Sequence, residues 1–68
     1  MNTKPYFILY EEYELTRWDR DSCILYLDPA MFIRKGAIYT IKNLIRTEYN
    51  LDTIRPITIL DIKRIDTE

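Results

Sequence analysis

Few side chains in this sequence are able to do chemistry, and the carboxylates are the most concentrated of them. Glu11, Glu12 and Glu14 stand close together, and Asp19 and Asp21 follow soon after. Two carboxylates can act as general acid and base when they share a cleft. Successive side chains of a strand point to opposite faces, however, so this spacing frames no pocket. We interpret these residues as a solvated acidic hairpin, which could also occupy a basic cleft on another protein.

Cys23 is the only cysteine, and it is the remaining nucleophile and metal ligand to consider. It lies in the apolar run Cys-Ile-Leu-Tyr-Leu, where a thiol is more typical of a small buried hydrophobe than of a reactive group. The chain has no histidine to act as a base or to complete a zinc site. Gly36 is the only glycine, so there is no glycine-rich phosphate loop. The sequence predicts a protein that is not an enzyme and uses no metal or cofactor.

One long helix, from Pro29 to Tyr49, is predicted to organise the fold. Asp28 is a good N-cap, proline suits the first helical position, and Asn50 tolerates the left-handed conformation that ends a helix. The apolar residues between these ends recur at helical spacing and form one stripe. Gly36 weakens this helix, so the alternative is a hairpin over residues 31–39 followed by a shorter helix. We favour the continuous helix.

Strands are expected over residues 6–15, 22–27 and 57–65. The short polar loop between the first two makes them antiparallel neighbours. A right-handed crossover through the helix then brings the last strand beside the first. The expected fold is α+β: a small two-layer ββαβ sandwich with a three-stranded sheet in the order 2-1-3 and the long helix on one face. The whole chain, residues 1–68, is expected to form a single domain.

The strand register decides which sheet face the helix covers. We place Tyr13 opposite Cys23, although a slip of one residue would reverse the faces of one strand. This register leaves an uncovered apolar face, which we predict to be an interaction surface: Tyr6, Ile8, Tyr10, Ile24 and Tyr26. Tyr10 and Tyr26 would lie opposite each other near its centre. Phe32 and Tyr39, on the helix side opposite the core, form a second candidate surface.

Arg34 projects from the middle of the predicted apolar stripe, where an unpaired guanidinium is costly. We predict a buried ion pair between Arg34 and an acidic strand residue, with Asp61 and Glu11 as the candidates. The alternative is that its aliphatic stem lies on the core while its charged end reaches water.

Composition and charge favour a binding protein. The net charge is −1, but residues 1–28 carry six acidic and three basic side chains, whereas residues 29–68 carry five and seven. We see no signal peptide and no run approaching a membrane span, and a lone thiol fits the cytoplasm. A small chain without disulfide or metal can gain stability by tight packing or by self-association. We expect a non-enzymatic protein-interaction module that forms a homodimer and regulates or inhibits a larger protein; the alternative is a nucleic-acid-binding module that uses the tyrosine-rich sheet face.

Overall fold

A computed structural model describes residues 2–52 and 54–65 of the chain. Strands β1 (Lys4–Glu14) and β2 (Arg17–Leu27) come first, then a 3-10 turn (Pro29–Ile33), helix α1 (Ala37–Glu48) and strand β3 (Ile57–Arg64). β1 pairs with both other strands, antiparallel in each case, so the sheet order is β2-β1-β3. The predicted α+β class, ββαβ element order and strand order are confirmed.

The β1–β2 hairpin is longer and turns more tightly than the sequence predicted. Only Leu15 and Thr16 connect the strands, and both have positive φ, 53° and 75°. A tight hairpin turn favours positive φ because it matches the twist of the strands, but such turns are dominated by glycine and asparagine. The polar loop predicted over residues 16–21 is therefore wrong, because residues 17–21 belong to β2. The sequence has no glycine or asparagine that would have marked the turn. Tyr13 pairs with Trp18, and Cys23 pairs with Ile8.

This register differs from the predicted one by an odd number of residues, which reverses the faces of β1 and leaves those of β2 unchanged. Tyr6, Ile8 and Tyr10 point toward the helix and are buried, with Tyr10 only 1% exposed. The predicted surface is thus wrong for these three residues, and Tyr10 lies opposite Asp21, not Tyr26. The rest of the buried core comes from β2, α1 and β3: Cys23, Leu25, Leu27, Ile41, Ile45 and Ile57.

The continuous helix predicted over residues 29–49 is wrong, and so is the alternative hairpin over residues 31–39. The beginning is as predicted, since the Asp28 carboxylate accepts a hydrogen bond from the Ala30 N–H at 3.0 Å. The 3-10 turn then ends, and Gly36 takes the left-handed conformation, with φ at +85°. A residue with that backbone geometry cannot lie inside an α-helix. α1 therefore begins only after Gly36.

The end of α1 is fastened to the hairpin through Arg46 and Arg55. Two nitrogens of the Arg46 guanidinium, Nη2 and Nε, donate to the Arg55 carbonyl oxygen at 2.7 and 3.1 Å. The Arg55 guanidinium in turn lies 3.3 Å from a carboxylate oxygen of Glu12 and 3.6 Å from one of Glu14. These contacts hold the C-terminal end of α1 against one side of the sheet.

Candidate interaction surface

The sheet side away from α1, here called the outer face, carries most of the exposed apolar surface of the strands. Strand alternation and the register assign its members. In the described part of the chain, no helix or strand packs over it. Ile24 and Tyr26 are 56% and 69% exposed, as predicted for these two residues. The apolar members of the outer face are Pro5, Phe7, Leu9, Tyr13, Trp18, Ile24, Tyr26 and Ile65.

The outer face is arranged in rows that run from β2 through β1 to β3, and the first row ends at Ile65, the residue that follows β3. The register and the hydrogen bond from the Ile65 N–H to the Pro5 carbonyl oxygen define the central rows. The rows are Tyr26-Pro5-Ile65, Ile24-Phe7-Lys63, Ser22-Leu9-Asp61 and Arg20-Glu11-Thr58. Apolar residues therefore occupy the centre, and the charged residues lie along the β3 side and in the last of these rows.

The turn end of the outer face carries a pair of aromatic rings. Tyr13 and Trp18 are cross-strand neighbours, and their ring centroids lie 5.3 Å apart at an interplanar angle of 62°. This edge-to-face geometry is favourable for aromatic pairs. Both rings remain exposed, so they extend the apolar surface beyond the part of the sheet opposite α1.

Both edges of the sheet carry an aspartate that covers a backbone N–H. Odd-numbered β1 residues bond to β3, as the Tyr13 N–H does to the Pro56 carbonyl oxygen, so Ser22 and Ile62 direct their N–H groups outward. The Asp21 carboxylate accepts the Ser22 N–H at 2.7 Å. The Asp61 carboxylate accepts the Ile62 N–H at 3.0 Å. Each edge thus has one of its outward donors occupied.

The acidic residues do lie on one hairpin, but arginines neutralise most of them. Glu11 contacts Arg20 at 3.4 Å, and Asp19 contacts Arg17 at 3.0 Å. Glu12 and Glu14 share the Arg55 guanidinium, and Asp21 is bound to a backbone N–H. This pairing weakens the hypothesis that the acidic hairpin occupies a basic cleft on another protein.

The predicted ion pair between Arg34 and Asp61 is wrong. Arg34 is exposed in the turn before α1, because the break at Gly36 removes it from the apolar stripe. Within the described residues it forms no salt bridge with Asp61 or with Glu11. Asp61 points to the outer face, where it neighbours Leu9.

Phe32 and Tyr39 do not form one surface. The Phe32 ring packs against the buried Tyr6 ring, with centroids 5.0 Å apart, and so belongs to the edge of the core. Tyr39 is 68% exposed on α1. The two residues separate because they fall on different elements, the 3-10 turn and the helix.

Cys23 is buried in a way that suppresses thiolate chemistry. Burial raises the pKa of its thiol, and a hydrogen bond with Tyr49 opposes that rise in part. Burial also raises the pKa of the neighbouring Tyr10 well above the usual range of a tyrosine. The thiolate is the nucleophilic form of cysteine, so a raised pKa disfavours a catalytic role for Cys23.

Two open grooves lie outside the sheet faces. The larger, of about 500 Å³, follows α1 and is lined by Tyr39, Asn43, Arg46, Thr47, Asn50 and Leu51. The smaller, of about 320 Å³, lies at the hairpin turn between Leu15 and Ile54. Arg46, the strongest donor in the first groove, is already committed to Arg55 and to the Asn43 side chain. In the smaller groove, Arg55 is likewise engaged by Glu12 and Glu14.

Among the described residues, no cluster of three or more cysteine and acidic side chains could hold a metal ion, and no helix combines the length and the apolar character needed to cross a membrane. Comparison of the chain with family models, with curated proteins and with solved structures finds no match.

Proposed function

We propose that this protein is a small, non-enzymatic protein-interaction module and that the outer face is its association surface. The observation that carries this proposal is the uncovered apolar centre of that face, around Phe7, Leu9, Ile24 and Tyr26. Its most concrete form is a regulator or inhibitor of a larger protein that also self-associates. We further propose the cytoplasm as its compartment, since a lone thiol is typical of a reducing environment.

The composition of the outer face supports association over simple exposure. Monomeric proteins rarely expose large contiguous apolar patches, and those that do usually bind something there. Tyrosine, tryptophan and phenylalanine are enriched in the cores of protein interfaces. All three types occur here, and the half-buried Phe7 and Leu9 provide a rigid centre held by a neighbouring strand on each side.

Nucleic-acid binding is the second candidate, favoured by aromatic rings beside Lys63 and Arg20 on an open sheet. The tyrosine-rich sheet face predicted to bind nucleic acid does not form as predicted, because Tyr6 and Tyr10 are buried. Glu11 and Asp61 also share the outer face, and their carboxylates repel phosphates. Retention on a heparin or nucleic-acid column that falls steeply with salt would favour this candidate.

The protein-binding proposal is tested with immobilised wild-type protein and two variants, in nuclease-treated extract of the source organism. Tyr26→Glu places a charge on the outer face. Ile33→Glu is the matched control, because Ile33 is 88% exposed and lies outside the sheet. Proteins retained by the wild type and by Ile33→Glu, but lost with Tyr26→Glu, support the outer face. Equal retention by all three would refute it. Circular dichroism checks that each variant is folded.

A further inference from the structure

We infer that the outer face binds a second copy of this chain, sheet against sheet, about a two-fold axis that runs parallel to the strands. The inference rests on the proposed function, because it takes the outer face as the association surface and names its occupant. Three observations beyond exposure carry it: the aspartates at the sheet edges, the balanced charges of the outer face and the order of residues within the rows.

The edge aspartates favour stacking of faces over pairing of edges. An open sheet can associate by adding a strand at its edge or by covering its face. Strand addition needs the outward N–H groups, and Asp21 and Asp61 occupy one on each edge. An incoming strand would have to displace these bonds and would meet a carboxylate beside its own carbonyl groups. Face-to-face packing leaves both bonds intact.

The charges of the outer face are balanced, as self-association requires. Glu11 and Asp61 provide two negative charges, and Arg20 and Lys63 provide two positive ones. Like-charged faces would repel each other, and a strongly charged partner would be bound by a face of opposite sign. A face that has no net charge and carries side chains of both signs can pack against a copy of itself without repulsion.

The order of residues within the rows favours this axis, although it sets Ile24 against the aliphatic stem of the partner's Lys63. A two-fold axis along the strands sets each row against the same row of the partner, with β2 opposite the partner's β3. Phe7 and Leu9 then meet their own copies, and Ser22 faces the partner's Asp61. An axis across the strands would set Glu11 against the partner's Phe7 if it ran through Leu9, and against the partner's Pro5 if it ran midway between Phe7 and Leu9. Through Phe7 it would set Lys63 against the partner's Lys63.

Glu11 lies at the edge of the proposed dimer interface. The strand-parallel axis brings Glu11 near the partner's Glu11, and like charges at that distance repel. Each carboxylate has its own Arg20 guanidinium at 3.4 Å, so the repulsion is offset within each copy. The tight contact therefore centres on the rows of Phe7 and Leu9.

The available area matches a weak dimer. Three strands about 4.8 Å apart and about eight residues long give a footprint of roughly 14 by 27 Å, or about 380 Å², on each copy. This is about half of the roughly 800 Å² that a standard interface buries on each partner. We therefore expect weak association, with a dissociation constant of about ten micromolar or higher.

Sedimentation velocity over a range of protein concentrations tests the dimer. The wild type and Ile33→Glu should show a mass that doubles with concentration. Ile24→Glu and Phe7→Glu should raise the dissociation constant at least tenfold. Ile24 is more exposed than Phe7, so its variant keeps the test valid if Phe7→Glu fails to fold. A monomeric wild type at every concentration overturns the inference; retention of another protein that depends on Tyr26 would still support the proposed function.

Cysteine cross-linking tests the axis, in a Cys23→Ala background with a short bis-maleimide. Chains carrying Tyr26→Cys should cross-link to chains carrying Ile65→Cys, because these positions share a row. Tyr26→Cys and Trp18→Cys should not react, because they lie about 27 Å apart along the strand when equal rows face each other. Efficient cross-linking of Tyr26→Cys to Trp18→Cys instead would overturn the strand-parallel axis.

Discussion

Replacement of Gly36 by alanine changes stability in opposite directions in the continuous helix that the sequence predicted and in the interrupted arrangement that the structure shows. If residues 29–49 formed one helix, Gly36→Ala would stabilise it by about 1 kcal/mol, the usual difference between alanine and glycine in a helix interior. In the structure, Gly36 precedes α1 with φ at +85°. A side chain in the left-handed region costs about 1–2 kcal/mol. The sign of the change therefore distinguishes the two arrangements.

The expected change in the free energy of unfolding for Gly36→Ala comes almost entirely from the backbone conformation. A Cβ atom built on Gly36 meets no heavy atom within 4 Å, so the substitution introduces no steric clash. Alanine also reduces the entropy of the unfolded chain, which opposes the loss by about 0.4–1 kcal/mol. We expect a net destabilisation of about 1 kcal/mol, which lowers the Tm of a domain this small by roughly 4–8 °C.

Urea unfolding followed by circular dichroism measures this change, with Gly36→Asn as the control. Asparagine tolerates positive φ better than alanine does, so Gly36→Asn should unfold at a urea concentration between those of the wild type and Gly36→Ala. An increase in the free energy of unfolding for Gly36→Ala would refute the left-handed break and restore the continuous helix.

Three further changes test other parts of the structure. Replacing Leu15-Thr16 by Asn-Gly should raise the free energy of unfolding by about 1–2 kcal/mol, because asparagine and glycine suit the positive φ of both positions. Thr16→Ala is the control and should give no increase. Equal urea midpoints for the wild type and the Asn-Gly variant would contradict a strained turn. Arg55→Met should cost about 1–2 kcal/mol, because Glu12, whose side chain is 14% exposed, loses its partner, whereas Arg20→Met at the more exposed pair with Glu11 should cost under about 0.5 kcal/mol. Asp21→Ala should increase light scattering on concentration, and Asp21→Asn, which keeps an acceptor oxygen, should not; equal scattering would argue against edge protection.

The sequence predicted the parts of the fold whose residues have strong local preferences. Asp28 caps the 3-10 turn as predicted, and Asn50, with φ at 56°, follows the end of α1 in the expected left-handed conformation. Strand order followed from the helical crossover. These features depend on near neighbours in the chain, which is why residue types alone could indicate them.

The faces of β1 could not be predicted, because they depend on a turn without a signal. Leu15 and Thr16 both disfavour positive φ, so their turn exists only because the paired strands on either side stabilise it. The strand itself gives no preference, since Tyr6, Ile8 and Tyr10 are no more apolar than Phe7 and Leu9. Ile24 and Tyr26 were assigned correctly to the outer face because the error affected only β1.

The apolar character of both faces of β1 itself argues for a second layer. β1 is the central strand, and its run from Tyr6 to Tyr10 has no polar residue at either alternating set of positions. Such runs are typical of strands that are buried on both faces, whereas a strand with one wet face alternates apolar and polar residues. α1 covers only the face that carries Tyr6, Ile8 and Tyr10. Phe7 and Leu9 have the same apolar character, and no helix or strand of the described residues covers them. A second protein surface packed on the outer face would explain why both faces of β1 are apolar.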